Sequence, residues 1–249
     1  MRFSTGVFIG LILTVALCRA DTETSVPDAA GIIADADRAR GNIDGVVWTA
    51  DIESTEEGRV SERSLVIYTR GVNALAQSIS PAKFKGQMLL MLDRNMWFVK
   101  PGLQKPVPIS PRQKLMGGAA NGDIASTNYA EDYRAGFAGE EPVAGQPCYL
   151  FDLRAVNQKV TYDRIRYWIS KDQRLGLQAE FYTVSGKLLK IARFTYGNRI
   201  RVNGMDVPFV SEMTISDAVR KEDVTRMRYR NVTPEKVPDT TFNLNLLVR

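Results

Sequence analysis

The residue types that carry most enzymatic chemistry are scarce in this chain of 249 residues, which contains no histidine and two cysteines. Histidine is the commonest general base and a frequent zinc ligand, so its absence removes Ser-His-Asp and Cys-His nucleophile arrangements and most zinc sites. Cys148 falls within an apolar stretch that reads as a strand, where cysteine is typically a small buried hydrophobe. The composition therefore argues against catalysis.

The remaining chemical candidates have simpler structural interpretations. The segment Ser185–Lys187 ends like a phosphate-binding loop, but Phe181 stands where that loop requires glycine, so a hairpin turn is expected. Asp123, Glu131 and Asp132 offer carboxylates without the alternating oxygen spacing of a calcium loop. We predict no catalytic residue, no metal site and no cofactor.

Apolar side chains on predicted strands are the first candidate for a function. The strands Met88–Leu92 and Met96–Val99 are apolar on both faces, so each face must be covered, for example by a helix on one side and a ligand or lid on the other. Methionine and aromatic residues together form surfaces that adapt to irregular apolar partners. The alternative is an ordinary protein core. We assign the wall of a candidate apolar cavity to Trp48, Met88, Leu90, Trp97, Phe98 and Val99.

Arginines at every second position form a second candidate. Arg226, Arg228 and Arg230 alternate with apolar residues, as do Arg164 and Arg166. Such a stripe predicts the solvated outer face of a sheet, and the alternative is a patch that meets phospholipid head groups or an acidic partner.

The elements that must position these residues are mostly strands. Pro27-Asp28 starts one amphipathic helix that runs to Gly41, and from Val46 onward apolar residues alternate with polar ones. Asn203-Gly204 is the strongest hairpin signal, because both central residues of a type I′ turn need positive φ. Six strands are predicted in the second half, at 148–155, 162–170, 177–183, 188–196, 207–216 and 224–231. No βαβ alternation occurs, so we predict about eleven antiparallel strands in one domain.

The N-terminus has the pattern of a secretory signal. Arg2 precedes the apolar run Val7–Leu17, which is too short to span a membrane, and Ala20 ends a small-residue cleavage site. We therefore expect residues 1–20 to be removed and residues 21–249 to form one exported, periplasmic domain. Lipidation at Cys18 would instead make an outer-membrane lipoprotein, but the preceding Leu17 is larger than a lipidation site requires.

The charge of the expected mature chain is mild. Removal of Arg2 and Arg19 leaves 31 basic and 28 acidic residues, a net charge of about +3. Nucleic-acid binding normally needs clustered basic faces or a recognition motif, and we predict no nucleic-acid partner. Transient contact with an anionic membrane surface is compatible with this charge.

A longer signature runs through the middle of the chain. Its parts are Met96–Gly102, Pro106–Gly117, Asn121–Asp123, Tyr129 and Asp132-Tyr133, with further matches at Thr161–Arg164 and Ser185–Lys190. This signature resembles that of the bacterial outer-membrane lipoprotein-sorting proteins, relatives of the LolA/LolB lipoprotein carriers. The resemblance covers nearly all of the expected mature chain.

The resemblance implies a fold and a function. The fold is a curved, incompletely closed antiparallel half-barrel whose concave apolar face is covered by helices. The function is a periplasmic carrier that binds acyl chains of a lipoprotein or lipid, without a cofactor, and shuttles them towards the outer membrane. The alternative is a non-enzymatic accessory subunit of a resistance-nodulation-division (RND) type envelope exporter without its own ligand. A lipid hydrolase ranks third.

The segment Ser110–Gln146 is the least regular part of the sequence, with glycines, alanines and no clear periodicity. A loop of this length inside a compact domain is usually functional. In a carrier, Ser110–Tyr133 would gate the cavity; otherwise it is a surface loop. The candidate lid residues are Leu115, Met116, Gly117, Tyr129 and Tyr133.

We predict that the mature protein begins at Asp21, because the apolar run is short and small residues flank the cleavage site. Intact-mass measurement after native export tests this. A diacylated Cys18 at the N-terminus would contradict it and would place the protein on a membrane.

Overall fold

The computed structural model describes residues 27–125 and 127–247, so the predicted signal segment 1–20 lies outside the described residues. The helices are α1 (Ala29–Arg38), α2 (Tyr129–Asp132) and α3 (Leu244–Leu247), with 3₁₀ turns at Ala82–Phe84, Asn121–Ile124 and Asp239–Phe242. The strands in the first half are β1 (Val46–Glu56), β2 (Arg59–Arg70), β3 (Asn73–Ser80), β4 (Met88–Leu92), β5 (Asn95–Val99), β6 (Val107–Ile109), β7 (Lys114–Met116) and β8 (Ala119–Ala120). Those in the second half are β9 (Tyr133–Glu140), β10 (Cys148–Ala155), β11 (Arg164–Ser170), β12 (Gly176–Tyr182), β13 (Leu188–Thr195), β14 (Asn198–Val202), β15 (Met205–Phe209), β16 (Glu212–Asp217) and β17 (Val224–Pro234).

One large antiparallel sheet dominates the part of the chain that the structure describes. It has 13 strands in the order β6-β5-β4-β3-β2-β1-β17-β16-β13-β12-β11-β10-β9, and two hairpins, β7-β8 and β14-β15, stand apart from it. The sheet ends at β6 and β9, so it remains open, and the predicted open antiparallel half-barrel is confirmed.

The described residues form 17 strands against the predicted eleven. Some of the additional strands, such as β7 and β8, are too short to display alternation, and two others have local explanations. β9 was expected to be irregular, and most of its side chains are exposed, so its sequence lacks the apolar alternation of a half-buried strand. The predicted strand 207–216 divides into β15 and β16 at Val210-Ser211.

The predicted amphipathic helix is confirmed as α1. Asp28 caps it, since its Oδ1 accepts a hydrogen bond of 3.1 Å from the backbone N–H of Gly31. Ile32, Ile33 and Ala36 are buried in the main core. The helix therefore packs its apolar side onto the sheet.

The main core lies on one face of the sheet, which we call the concave face. Alternate residues of β1 and β2 contribute to it, and so do alternate residues of β11, β13 and β17, which stand far from β2 in the strand order. One continuous core shared by both halves requires the sheet to curve around it. The hairpin β14-β15 also packs here, with Phe209 5.7 Å from Trp48 between ring centroids. Its turn has φ of 50° at Asn203 and 81° at Gly204, which confirms the predicted hairpin.

The opposite, convex face of β1 to β5 is also covered. The C-terminal segment 235–247 folds back across it, and Val237 and Phe242 form a second core with Leu75 and Leu90. This second core explains why β4 and β5 are apolar on both faces: one face meets the main core and the other meets the C-terminal segment.

We predict that Phe242→Ala lowers the free energy of unfolding by about 3 kcal/mol, because Phe242 is buried and its loss leaves a cavity against the sheet. Leu246→Ala in the same segment is the matched control, since Leu246 is exposed, and it should cost less than about 0.5 kcal/mol. Denaturant titration measures both. Equal, small effects would mean that the segment does not cover the sheet in solution.

Candidate functional site

The six predicted wall residues divide between the two faces of the sheet. Trp48 is buried in the main core, and Phe98 faces the same side, opposite Leu89 across the β4-β5 pair. The other four face the convex side, where Leu90 pairs with Trp97 and Met88 with Val99. Neighbouring residues of a strand point to opposite faces, so Trp97 and Phe98 cannot line one wall. The six therefore lie on two separate surfaces, and Trp48 and Phe98 are the two that share the concave face.

A partly exposed apolar strip lies on the concave face at the open edge of the sheet. Met91, Phe98 and Ile109 are half-buried and Val107 is 44% exposed. Met96 pairs with Met91 on one side and with Ile109 on the other. Phe98, two residues after Met96, pairs with Val107. The four residues Met91, Phe98, Val107 and Ile109 therefore lie on one face. We call them the rim strip. Val107 and Ile109 could not be recognised from the sequence, because β6 has only three residues, too few to display alternation.

The segment 110–133, predicted as a lid or a surface loop, covers the concave face; Ser126 within it is not described. It contains β7, β8, the 3₁₀ turn at Asn121–Ile124 and α2, and much of it is buried. We call it the cover. Its irregular sequence reflects short elements that pack on the core, so the surface-loop interpretation is corrected.

The predicted lid residues occupy different parts of the cover. Leu115 and Met116 are half-buried on β7 and pack against the main core. Gly117 has φ of +55°, and a Cβ there would lie 1.9 Å from the Ser54 hydroxyl, so only glycine fits. Tyr129 lies at the other end of the cover, with its ring 5.3 Å from that of Tyr133.

Polar contacts hold the cover to the sheet. The backbone N–H of Gly118 donates to Thr225 Oγ1 at 2.8 Å, and Asp123 forms an ion pair with Lys190 at 3.0 Å. The Asp123 and Lys190 side chains are 4% and 10% exposed, so this pair is buried. The hydroxyl of Tyr162 also donates to Asp123, at 2.7 Å. These contacts give the cover a discrete, specific position.

A small polar cavity lies beneath the cover. It has a volume of about 50 Å³ and is lined by residues of the cover, of the β4-β5 hairpin and of the segment 159–162, together with Arg40 and Val72. Arg40 follows α1 and is 8% exposed. The interior next to the rim strip is thus polar and narrow, whereas the rim strip itself is apolar.

Asp37 lies at the base of the cover, fully buried on α1. Its Oδ2 accepts the backbone N–H of Ala130 at 2.9 Å, while its Oδ1 has no partner among the described residues. Burial raises the pKa of this carboxyl from 3.8 to about 7. Near neutral pH the helix and the cover therefore meet at a group that changes charge.

The predicted arginine stripes lie on the convex face and are matched by carboxylates. Arg226 and Arg228 lie 3.4 and 3.3 Å from Glu212, and Arg230 pairs with Asp51. Arg164 likewise pairs with Asp152 at 2.8 Å. Since cross-strand acids offset much of the positive charge, the stripes form a solvated ionic lattice rather than an uncompensated basic patch.

Two further features of the described ranges bear on chemistry. Cys148 is 1% exposed, and burial raises the pKa of its thiol, so the reactive thiolate is disfavoured. Within residues 27–125 and 127–247, no three His, Cys, Asp or Glu side chains are grouped to hold a metal ion. No helix in the same ranges has the length and apolarity needed to cross a membrane.

Comparisons with known proteins agree with this architecture. A family model described as "uncharacterized protein" matches residues 71–249. The structure is similar to that of a LolA superfamily protein from Nitrosomonas europaea, with 28% identity, a TM-score of 0.78, and coverage of 88% of this chain and 98% of that one.

Two other solved structures share the fold at lower identity. One is an outer membrane lipoprotein-sorting protein domain from Vibrio parahaemolyticus, with 19% identity, a TM-score of 0.74, and coverage of 88% of this chain and 98% of that one. The other is a DUF1329 family protein from Desulfovibrio piger, with 20% identity, a TM-score of 0.73, and coverage of 88% and 97%. No curated protein matches the chain.

We predict that the buried Asp37 makes the protein less stable as pH rises. Its pKa is higher in the folded protein, about 7, than the ordinary 3.8, so its contribution to stability is complete below pH 3.8 and is lost as pH rises through 7. Asp37→Asn keeps an oxygen acceptor for Ala130 without the charge. Between pH 5 and pH 8, the free energy of unfolding of the variant should rise by about 3 kcal/mol relative to that of the wild type. Parallel pH profiles from denaturant titration would contradict this account.

Proposed function

Because the chain belongs to the family whose model matches residues 71–249 and has the LolA superfamily fold, we propose that it is a periplasmic carrier of acyl chains. It would hold the chains of a lipoprotein or lipid on the concave face and carry them towards the outer membrane. The name of the Vibrio parahaemolyticus protein refers to lipoprotein sorting, which suggests a lipoprotein as one cargo. A free membrane lipid is the other.

The rim strip is the observation that carries this proposal. It places four partly exposed apolar side chains side by side at the open edge, where the sheet has no further strand to cover them. The convex face of the same strands is covered by the C-terminal segment, so an apolar ligand has access from the concave side only.

The cover must move for an acyl chain to reach beyond the rim strip, since the cavity of about 50 Å³ is too small for one. Opening would separate the buried Asp123–Lys190 pair, but it would also return both charges to water, and their hydration offsets much of the attraction that is lost. Burying eight methylenes would contribute roughly 6 kcal/mol, at ~0.8 kcal/mol each. Burial of an acyl chain therefore suffices to compensate the opening of the cover.

The accessory subunit of an RND-type exporter is the second candidate, and one observation favours it. The concave face beyond the rim strip is filled by side chains of α1, the β14-β15 hairpin and the cover. A domain filled in this way needs no ligand for stability. The two candidates differ in whether the cover opens to admit an apolar molecule.

A reversible lock on the cover separates the candidates. A Cβ at Gly118 would lie 3.7 Å from that of Ile215, near the roughly 3.8 Å of natural disulfides. The double variant Gly118→Cys with Ile215→Cys should therefore join the cover to β16 when oxidised. We predict that the oxidised form binds the neutral fluorophore N-phenyl-1-naphthylamine at least tenfold more weakly than the wild type, and that reduction restores binding.

One control variant and two contradicting outcomes complete this experiment. Gly118→Cys alone should bind the fluorophore equally with and without oxidant, and the native Cys148, being buried, should not compete for the disulfide. Equal binding by the oxidised and reduced double variant would exclude opening of the cover. Failure of the wild type to bind any neutral amphiphile would overturn the carrier proposal and favour the interaction module.

A further inference from the structure

Arg40 is a buried cation without a direct ion pair among the described residues. The carboxyl of Asp37, on the preceding helix, interacts with it through charge at longer range: burial raises the pKa of Asp37, and this attraction offsets only part of the rise. Arg40 is 8% exposed, and its guanidinium forms no ion pair with any described residue. The Nη1 atom is fully buried and has no hydrogen-bond partner in the described ranges. A guanidinium has five N–H donors, and burial of an unpaired charge costs several kcal/mol.

Aromatic rings surround this guanidinium without neutralising it. Its Cζ lies 4.2 Å from the ring centroid of Phe194 and 5.4 Å from that of Tyr129. A ring face attracts a desolvated cation by about 2 kcal/mol. Removing the charge from water costs several kcal/mol, which is more than this attraction returns. The packing therefore leaves unsatisfied capacity to bind an anion.

The small cavity beneath the cover is lined by Arg40 and by a second free donor. Asn128 is 7% exposed, its Oδ1 accepts a bond from Asn42, and its Nδ2 has no partner among the described residues. Two buried donors, on different elements, thus line one cavity and lack acceptors.

The acidic groups that line the cavity are already engaged. Asp123 pairs with Lys190, and Asp132 pairs with Arg94. Lys159 is exposed and also lines the cavity, so the lining has more positive than negative charge. The local balance favours a negatively charged group over a neutral one.

The volume limits what this group can be. At about 50 Å³, the cavity is about a third of the 150 Å³ cavity that admits benzene in another protein. A carboxylate fits, whereas an acyl chain does not. Met91 belongs both to the cavity lining and to the rim strip, so a chain attached to the carboxylate has an apolar surface next to it.

We propose that this cavity is a carboxylate site, in which Arg40 and Asn128 bind the head group of an anionic amphiphile while its acyl chain lies along the rim strip. This inference rests on the proposed carrier function and narrows its cargo to amphiphiles with a small acidic head group.

Paired ligands test the site. Calorimetry of the wild type with hexadecanoate and with hexadecan-1-ol compares the same chain with and without the carboxylate. We expect hexadecanoate to bind at least tenfold more tightly. Arg40→Met should abolish this preference and leave the affinity for the alcohol unchanged. Arg228→Met, which removes an exposed arginine of the convex face, should keep the preference.

The Arg40→Met variant should fold, because replacing an unpaired buried charge with an apolar side chain is neutral or stabilising. Its melting temperature should equal or exceed that of the wild type. Arg40→Lys retains the charge but loses the fork of donors, and it should show an intermediate preference.

The outcomes separate this inference from the carrier proposal. Equal binding of the acid and the alcohol by the wild type would overturn the carboxylate site and leave the carrier standing. Binding of neither amphiphile would overturn both. If acetate stabilises the protein in a saturable manner and hexadecanoate does not bind, the site takes a small free carboxylate. That result would overturn the proposal that the ligand is an anionic amphiphile.

Discussion

An antiparallel sheet that does not close must cover its apolar surfaces with other parts of its own chain, and this constraint organises the protein. The concave face receives α1, the β14-β15 hairpin and the cover, while the convex face of β1 to β5 receives the C-terminal segment. Among the described residues, the rim strip is an apolar surface of the concave face that stays partly uncovered, because β6 ends the sheet there. The location of a candidate ligand surface thus follows from where the covering segments stop.

The cover differs from an ordinary core element in how it is held. Apolar residues such as Ile124 bury it, but its position is fixed by polar contacts, above all the Asp123–Lys190 pair and the Ala130 bond to Asp37. Hydrogen bonds and ion pairs need defined geometry, so they favour one closed arrangement over many loose ones. A segment fixed in this manner is suited to movement between two states.

Much of the fold follows from local sequence patterns. The alternation in β1 and β2, the cap at Asp28 and the Asn203-Gly204 turn each predict the element that the structure contains, because each depends on neighbours in the chain. The absence of βαβ alternation likewise predicts the antiparallel sheet.

The candidate site was less accessible to such patterns. For β4 and β5, alternation cannot tell the concave from the convex face when both are apolar, since that depends on the distant C-terminal segment. The cover looked irregular because its elements are short. Arg40 gave no signal at all: a single arginine after a helix becomes noteworthy only when folding surrounds it with Phe194 and tyrosines and places no acid in direct contact with it among the described residues.

We propose that an acyl-containing molecule occupies the concave side of this protein in its native compartment. Native mass spectrometry of the protein, purified after export without detergent, is the decisive measurement. We expect a one-to-one adduct that organic extraction removes and that yields an acyl compound, with a carboxylate if the Arg40 site is correct. A single peak at the polypeptide mass, unchanged after incubation with membrane lipid extract, would contradict it.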